Sequence, residues 1–283
     1  MHVPLLVLGA LLCLLMPAAL AVWAHRRLGA AYGLWGFGAL TFVLSQVVHI
    51  PLNLAVGRAF TSGLLPTPPE TWSVWLLPLG LGLSAGMCEE PARWLAYRRL
   101  PDARSWGQGL MLGAGHGGIE AMLVGMSIGT SALVLGLAQQ QGAAALGLPP
   151  EMVPVIEAQL NTALQTPAWQ MLLGALERAL SLICHITMSL LVLQSVRAGR
   201  LGGLVASVAF HTLVNAGAVW FALRSQPLWA ELWIAGFAAV GLMIIMVLRR
   251  EDAPAPVEAP PVALRQVERV PIGRSAAQRE EER

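Results

Sequence analysis

Ionisable side chains interrupt four of the long apolar stretches in this 283-residue sequence. They are Glu89, Glu90 and Arg93 in the first, His116 and Glu120 in the second, Glu177, Arg178 and His185 in the third, and His211 with the amide Asn215 in the fourth. Ionisable groups at membrane depth cost roughly 2.5 to 3.5 kcal/mol each on insertion scales, so they usually face the bundle interior and mark function. Imidazoles and carboxylates together favour zinc or a similar divalent ion.

The four groups lie at similar distances from helix ends marked by arginine or tryptophan. The separations are eight to twelve residues, counted between Glu90 and Arg98, Trp106 and His116, His185 and Arg197, and Arg200 and His211. At 1.5 Å per residue these counts correspond to depths of roughly 12 to 18 Å. The sequence therefore predicts that a carboxylate pair and three imidazoles meet in one wet pocket beneath the inner leaflet.

Such a pocket is suited to hydrolysis. A metal ion held by these ligands lowers the pKa of bound water to about 7 and polarises a carbonyl group, while a nearby carboxylate takes the proton. The HExxH motif of soluble metalloproteases is absent, so separate helices must assemble the site. Two other classes stay open: a proton- or cation-coupled transporter, because Glu and His also build ion pathways, and a non-catalytic membrane scaffold or immunity-type protein.

Residues around this layer are predicted to support it. Glu89 and Arg93 are four residues apart and share a helix face. Glu177 and Arg178 lie nearer the opposite membrane face and are predicted to form an ion pair in helix packing. His49 is predicted to be a packing or kink residue outside the layer. A stripe of small residues, which allows close helix approach, runs through Gly109, Gly113, Gly117, Ala121, Gly125 and Gly129.

The composition requires a membrane protein. Hydrophobic residues make up 56% of the chain and charged residues only 12%, whereas soluble domains carry about 25% charged residues. Basic clusters that would grip nucleic acid are absent, which excludes that partner. The three cysteines lie inside apolar stretches without paired spacing, which argues against disulfides or a thiolate metal site.

Apolar runs predict an all-α, polytopic bundle with about seven spans. The spans are 3–23, 30–56, 72–97, 107–138, 168–196, 201–223 and 228–248. Arginines concentrate in the loops after the first, third, fifth and seventh spans, so the N-terminus is predicted outside and the C-terminus in the cytoplasm. We expect a transmembrane domain over 1–250, a short surface helix around 152–160, and a disordered cytoplasmic tail over 251–283.

The motifs resemble those of the YhfC family of intramembrane metalloproteases, within the group of PrsW-type proteases and type II CAAX prenyl endopeptidases. The resemblance is carried, over spans two to six, by CEEPAR at 88–93, GHGGIEA at 115–121, ER at 177–178 followed by His185, and HTLVN at 211–215. It implies a multi-pass protein of a prokaryotic plasma membrane that cleaves a membrane-associated peptide or protein substrate with a divalent metal, zinc above all.

The resemblance also implies residue roles. Glu89 or Glu90 would activate water, and His116 or Glu120 would fill the role of the second motif. His185 and His211 would coordinate metal or polarise the carbonyl, and Asn215 would steady an oxyanion. The substrate and the oligomeric state stay open.

Overall fold

The computed structural model describes residues 2–251, and this part of the chain is all α, without a strand. Its helices are α1 (Val3–Leu28), α2 (Tyr32–Thr61), α3 (Glu70–Arg99), α4 (Trp106–Gln141), α5 (Val153–Gln165), α6 (Leu173–Ala198), α7 (Gly202–Ala222) and α8 (Pro227–Glu251). Short 3-10 turns cover Ala143–Leu146, Pro150–Met152 and Ala168–Leu172. The predicted tail over 251–283 lies outside the described residues, apart from Glu251, which ends α8.

Seven helices between residues 2 and 251 are long and apolar enough to cross a membrane, which confirms the predicted all-α polytopic class. They are α1, α2, α3, α4, α7 and α8, and a seventh span, Ala168–Ala198, that joins α6 to the 3-10 turn before it. The remaining helix, α5, is amphipathic and buries Ile156 against the last turns of α4. Large apolar side chains that point away from the bundle occur along α1, α2 and α8, as expected for surfaces that meet lipid.

Local signals set the helix ends. Ser105 accepts a hydrogen bond from the backbone N–H of Gln108, whose side chain accepts one from Ser105, so a capping box starts α4. Glycines in the left-handed region end two helices: Gly29 (φ 67°) after α1 and Gly199 (φ 63°) after α6.

Helix pairs around the candidate site run antiparallel. Along α4, a Cβ added at Gly109 would approach Leu190, one at Gly113 would approach Ile186, and one at Gly117 would approach His185.

Helices α1, α3, α6 and α8 all end on the same side of the bundle, and we call this side the arginine-rich end. It carries Arg26, Arg27, Arg98, Arg99, Arg104, Arg197, Arg200, Arg249 and Arg250.

The small-residue stripe of α4 serves two partners. A Cβ at Gly113 would lie 2.7 Å from the Ile186 Cα in α6, whereas one at Gly125 would lie 2.7 Å from the Cys13 Cβ in α1. Real Cβ contacts are not this short, so α6 and α1 both need glycine here. The stripe thus lets α4 act as the central helix of the bundle.

Candidate active site

Glu90 is fully buried, and each of its carboxylate oxygens has a donor. Arg93 donates to Oε1, as does Nδ1 of His211 at 2.7 Å, and the Ser207 hydroxyl donates to Oε2 at 2.6 Å. A buried carboxylate without partners would cost several kcal/mol. The donors from α3 and α7 satisfy this charge and join the two helices at the site.

Glu89 has a less complete set of partners. Its Oε1 accepts a hydrogen bond from the Gln46 amide at 3.2 Å, and its Oε2 lies 3.0 Å from Nε2 of His116. Arg93 Nη2 is 3.9 Å from the same Oε2. Glu89 also lines a cavity, and Glu90 does not.

The tautomer of His116 follows from its other neighbour. The Thr41 hydroxyl donates its hydrogen to the Gly38 carbonyl at 2.6 Å, so it can only accept from His116 Nδ1, which lies 2.8 Å away. Nδ1 therefore carries the hydrogen, and the lone pair of Nε2 points at the Glu89 carboxylate. Two acceptors 3.0 Å apart repel each other unless a cation or a proton lies between them.

His211 is oriented in a similar way. Its Nδ1 donates to Glu90, which leaves the lone pair of Nε2 free, 3.9 Å from Glu89 Oε2. Asn215 lies one helical turn further along α7, and both residues line the cavity.

His185 has a partner on each ring nitrogen. Arg93 Nη2 donates to Nδ1 at 2.6 Å, and Nε2 lies 2.7 Å from Glu120 Oε2. Because a guanidinium only donates, the hydrogen of a neutral His185 is on Nε2 and is donated to Glu120. Glu120 in turn pairs with Arg178 at 2.5 Å, and Arg178 also contacts Glu177.

The residues proposed from the sequence therefore meet in one place. The imidazole centroids of His116 and His185 are 5.3 Å apart, and those of His185 and His211 are 5.8 Å apart. A cavity of about 70 Å³, which is large enough for water, lies beside His185 and His211, and His116 does not line it. Glu89, Glu120, Glu177, Arg178, His185, His211 and Asn215 all line it.

One set of three side chains could hold an ion. Ligand atoms from Glu89, His116 and His185 all lie within 4.8 Å of one another, and all three residues are buried. The donor types, two imidazole nitrogens and one carboxylate oxygen, fit a divalent metal such as zinc, and ligation by His185 would replace its contact with Arg93 or with Glu120. His211 lies beside this set, and Glu120 lies behind His185.

Sequence reasoning missed four polar contributors: Thr41, Gln46, His49 and Ser207. His49, which we expected to be a packing or kink residue, receives a hydrogen bond from Asn53 at 3.0 Å and donates Nδ1 to Gln46 at 3.2 Å. Gln46 then donates to Glu89. Thr41, Ser45, His49 and Asn53 recur every four residues, and Gln46 lies three residues before His49, so a polar stripe along α2 was the signal available in the sequence. Only the packing of α2 beside α3 and α4 shows that this stripe faces the site.

The fold and this cluster define a class: a multi-pass membrane protein with a buried centre of glutamates and histidines. Comparison with known proteins makes the assignment specific. The model of the YhfC intramembrane metalloprotease family matches residues 12–234, and the chain belongs to this family. The uncharacterized membrane protein YhfC of Bacillus subtilis (strain 168) is 31% identical over 257 residues, covering 87% of this chain and 95% of that protein. No solved structure matches significantly.

Proposed function

We propose that this protein is a metal-dependent intramembrane endopeptidase of a prokaryotic plasma membrane, acting on a membrane-associated peptide or protein. The observation that carries the proposal is the pair of acceptors formed by His116 Nε2 and Glu89 Oε2 at 3.0 Å. Thr41 directs the hydrogen of the neutral imidazole to Nδ1, so that Nε2 faces the carboxylate and the contact calls for a cation or a proton between the two atoms. Side chains that are held in this orientation, without lipid contact, are arranged for a cation.

His116 and Glu89 would hold the ion through atoms that already face each other, and His185 would join them by exchanging its contact with Arg93 or Glu120 for the ion; zinc suits two imidazoles and one carboxylate. When bound, the metal lowers the pKa of a water molecule and polarises the scissile carbonyl. Thr41 and Gln46 orient two of the three ligands from behind, as outer partners do in known metal sites.

His211 is placed to act as the general base. Glu90 accepts the Nδ1 hydrogen at 2.7 Å, so the free Nε2 can take the proton of a water molecule in the cavity. The carboxylate also stabilises the imidazolium that forms, as the aspartate of a Ser-His-Asp triad does. Protonated His211 then gives its proton to the leaving amine, and the Asn215 amide can donate to the oxyanion.

The metal requirement can be measured on the full-length protein purified in detergent. We expect about one divalent ion per chain by inductively coupled plasma mass spectrometry. Glu89→Gln and His116→Ala should lose the ion. His25→Ala is the matched control, because His25 binds the Ala30 carbonyl in the α1–α2 turn, remote from the site. Metal-free wild-type protein, or equal metal in all variants, would contradict the proposal.

Peptide hydrolysis can be tested without knowledge of the substrate. Membranes from cells that produce the wild-type protein, Glu89→Gln or His25→Ala are compared by mass spectrometry of protein N-termini. New N-termini within membrane segments should appear with the wild type and with His25→Ala only. Their absence from all samples, combined with a flux of protons or cations in proteoliposomes, would favour the transporter class instead.

A further inference from the structure

The site is closed toward the arginine-rich end of the bundle. Beyond His185 and His116 in that direction, α4 and α6 pack through fully buried apolar side chains, with Tyr97 of α3 among them. They include Met111, Leu112, Leu190, Val192 and Leu193. The Tyr97 hydroxyl lies 2.7 Å from the Ser189 hydroxyl, and Ser189 donates to the Gly109 carbonyl. This layer contains no cavity residue.

Polar and more accessible residues continue in the opposite direction. The cavity extends along α6 from Met188 back to Glu177, which lies one turn inside the start of that helix. Side-chain exposure rises along the linked residues, from 7% at His185 to 25% at Glu120 and 39% at Glu177. On α7 the lining continues from His211 to Ala218, toward the same end.

An additional acidic residue lies near this opening. Glu231, in the first turns of α8, is 6% exposed, and its Oε2 has no hydrogen-bond partner among residues 2–251. It lies within electrostatic range of Glu177 and Arg178. Ile234, three residues further along the same helix face, lines the cavity. A buried carboxylate oxygen without a protein partner is expected to be hydrated.

We propose that water reaches the site from the end of the bundle opposite the arginine-rich end, through a polar passage between α4, α6, α7 and α8. The passage is lined by Glu120, Arg178, Ser181, Asn215 and Ala218, with the half-exposed Glu177 at its mouth and the buried Glu231 close by. By the positive-inside rule, the end of the bundle opposite the arginine-rich end faces away from the cytoplasm. The sequence predicted a pocket beneath the inner leaflet, from residue counts to the arginines, whereas this passage would admit water from the other side of the membrane. The chemistry of this inference rests on the proposed function, since the passage supplies the water that hydrolysis consumes.

Cysteine accessibility tests the passage. In a full-length Cys13→Ala, Cys88→Ala, Cys184→Ala background, single cysteines replace Ser181 or Ala218 in the passage. Ser189→Cys is the matched control, because Ser189 lies on the same helix within the packed layer. Two exposed positions serve as references for the side of the membrane from which the reagent is added. Ser62→Cys marks the end of the bundle opposite the arginine-rich end, and Asp102→Cys marks the arginine-rich end. A membrane-impermeant methanethiosulfonate with a trimethylammonium group is added to sealed vesicles from either side.

We expect Ser181→Cys and Ala218→Cys to react from the side that labels Ser62→Cys. Their rate should exceed that of Ser189→Cys at least about tenfold, because a fully buried thiol reacts only after local opening. Faster reaction from the Asp102 side, or no excess over Ser189→Cys, would overturn the passage. Labelling does not depend on turnover, so this result and the failure of the proposed hydrolysis are distinguishable.

Discussion

The surroundings of Glu89 and of Glu90 differ sharply, although the two residues are neighbours in the sequence. Successive residues on a helix point about 100° apart, so one carboxylate faces α7 and the other faces the cavity. Glu90 receives donors from Arg93, Ser207 and His211. Glu89 receives one amide and faces the lone pair of an imidazole.

This difference separates a carboxylate that supports the structure from one that is prepared to bind. The charge of Glu90 is already balanced, so an added ion would gain little there. Glu89 has an oxygen directed at another acceptor, and a cation would convert this repulsion into attraction. The acidic doublet is therefore two sites with different tasks, and the sequence motif alone does not distinguish them.

The strongest test of this comparison exchanges each carboxylate for its amide. Glu89→Gln should lose the bound metal and all measurable cleavage while keeping the thermal unfolding temperature of the metal-free wild-type protein, since only the stabilisation by the ion is lost. Glu90→Gln should destabilise the fold by about 3–5 kcal/mol, because it leaves Arg93 buried without its partner charge. Metal content and thermal unfolding in detergent measure both effects. Equal behaviour of the two variants would remove the distinction.

A second test separates the base from the metal ligands. His211→Gln should lower the cleavage rate about 10²- to 10⁴-fold, the usual contribution of a general base. The variant should keep its metal, since His211 lies outside the set formed by Glu89, His116 and His185. The measurement is the cleavage rate at equal metal content. Loss of the ion from His211→Gln would show that this residue is a ligand.

A smaller effect is expected from the residue that fixes His116. Thr41→Val removes the acceptor for Nδ1 without changing the side-chain shape, and should weaken metal affinity about 10- to 100-fold. Thr212→Val is the control, because Thr212 donates only to the Val208 carbonyl of its own helix. Competition with a chromogenic chelator gives the affinities. An unchanged affinity in Thr41→Val would refute the assigned tautomer.

The smallest effect should come from the hydrogen bonds behind Glu89. His49→Leu removes the residue that orients Gln46, and we expect the cleavage rate to fall about tenfold or less, since His49 acts through another side chain. His25→Leu is the matched control. A wild-type rate in His49→Leu would restore the interpretation of His49 as a packing residue.

Several features followed from the sequence alone because they depend on distance along one helix. Apolar runs near the length that crosses a bilayer define spans regardless of their partners. The depth of an ionisable residue depends only on its separation from the helix end. The meeting of Glu89, His116, His185 and His211 could be predicted in this way.

Other features were decided only by the tertiary structure, because they depend on how each helix is rotated about its axis. That rotation is fixed by close packing across the whole bundle, as at Gly113 against α6 and Gly125 against α1. It directs Glu89 rather than Glu90 at the cavity, and it brings Thr41 and Gln46 of α2 against the site. No spacing within a single helix contains this information, since the partner faces belong to distant parts of the chain.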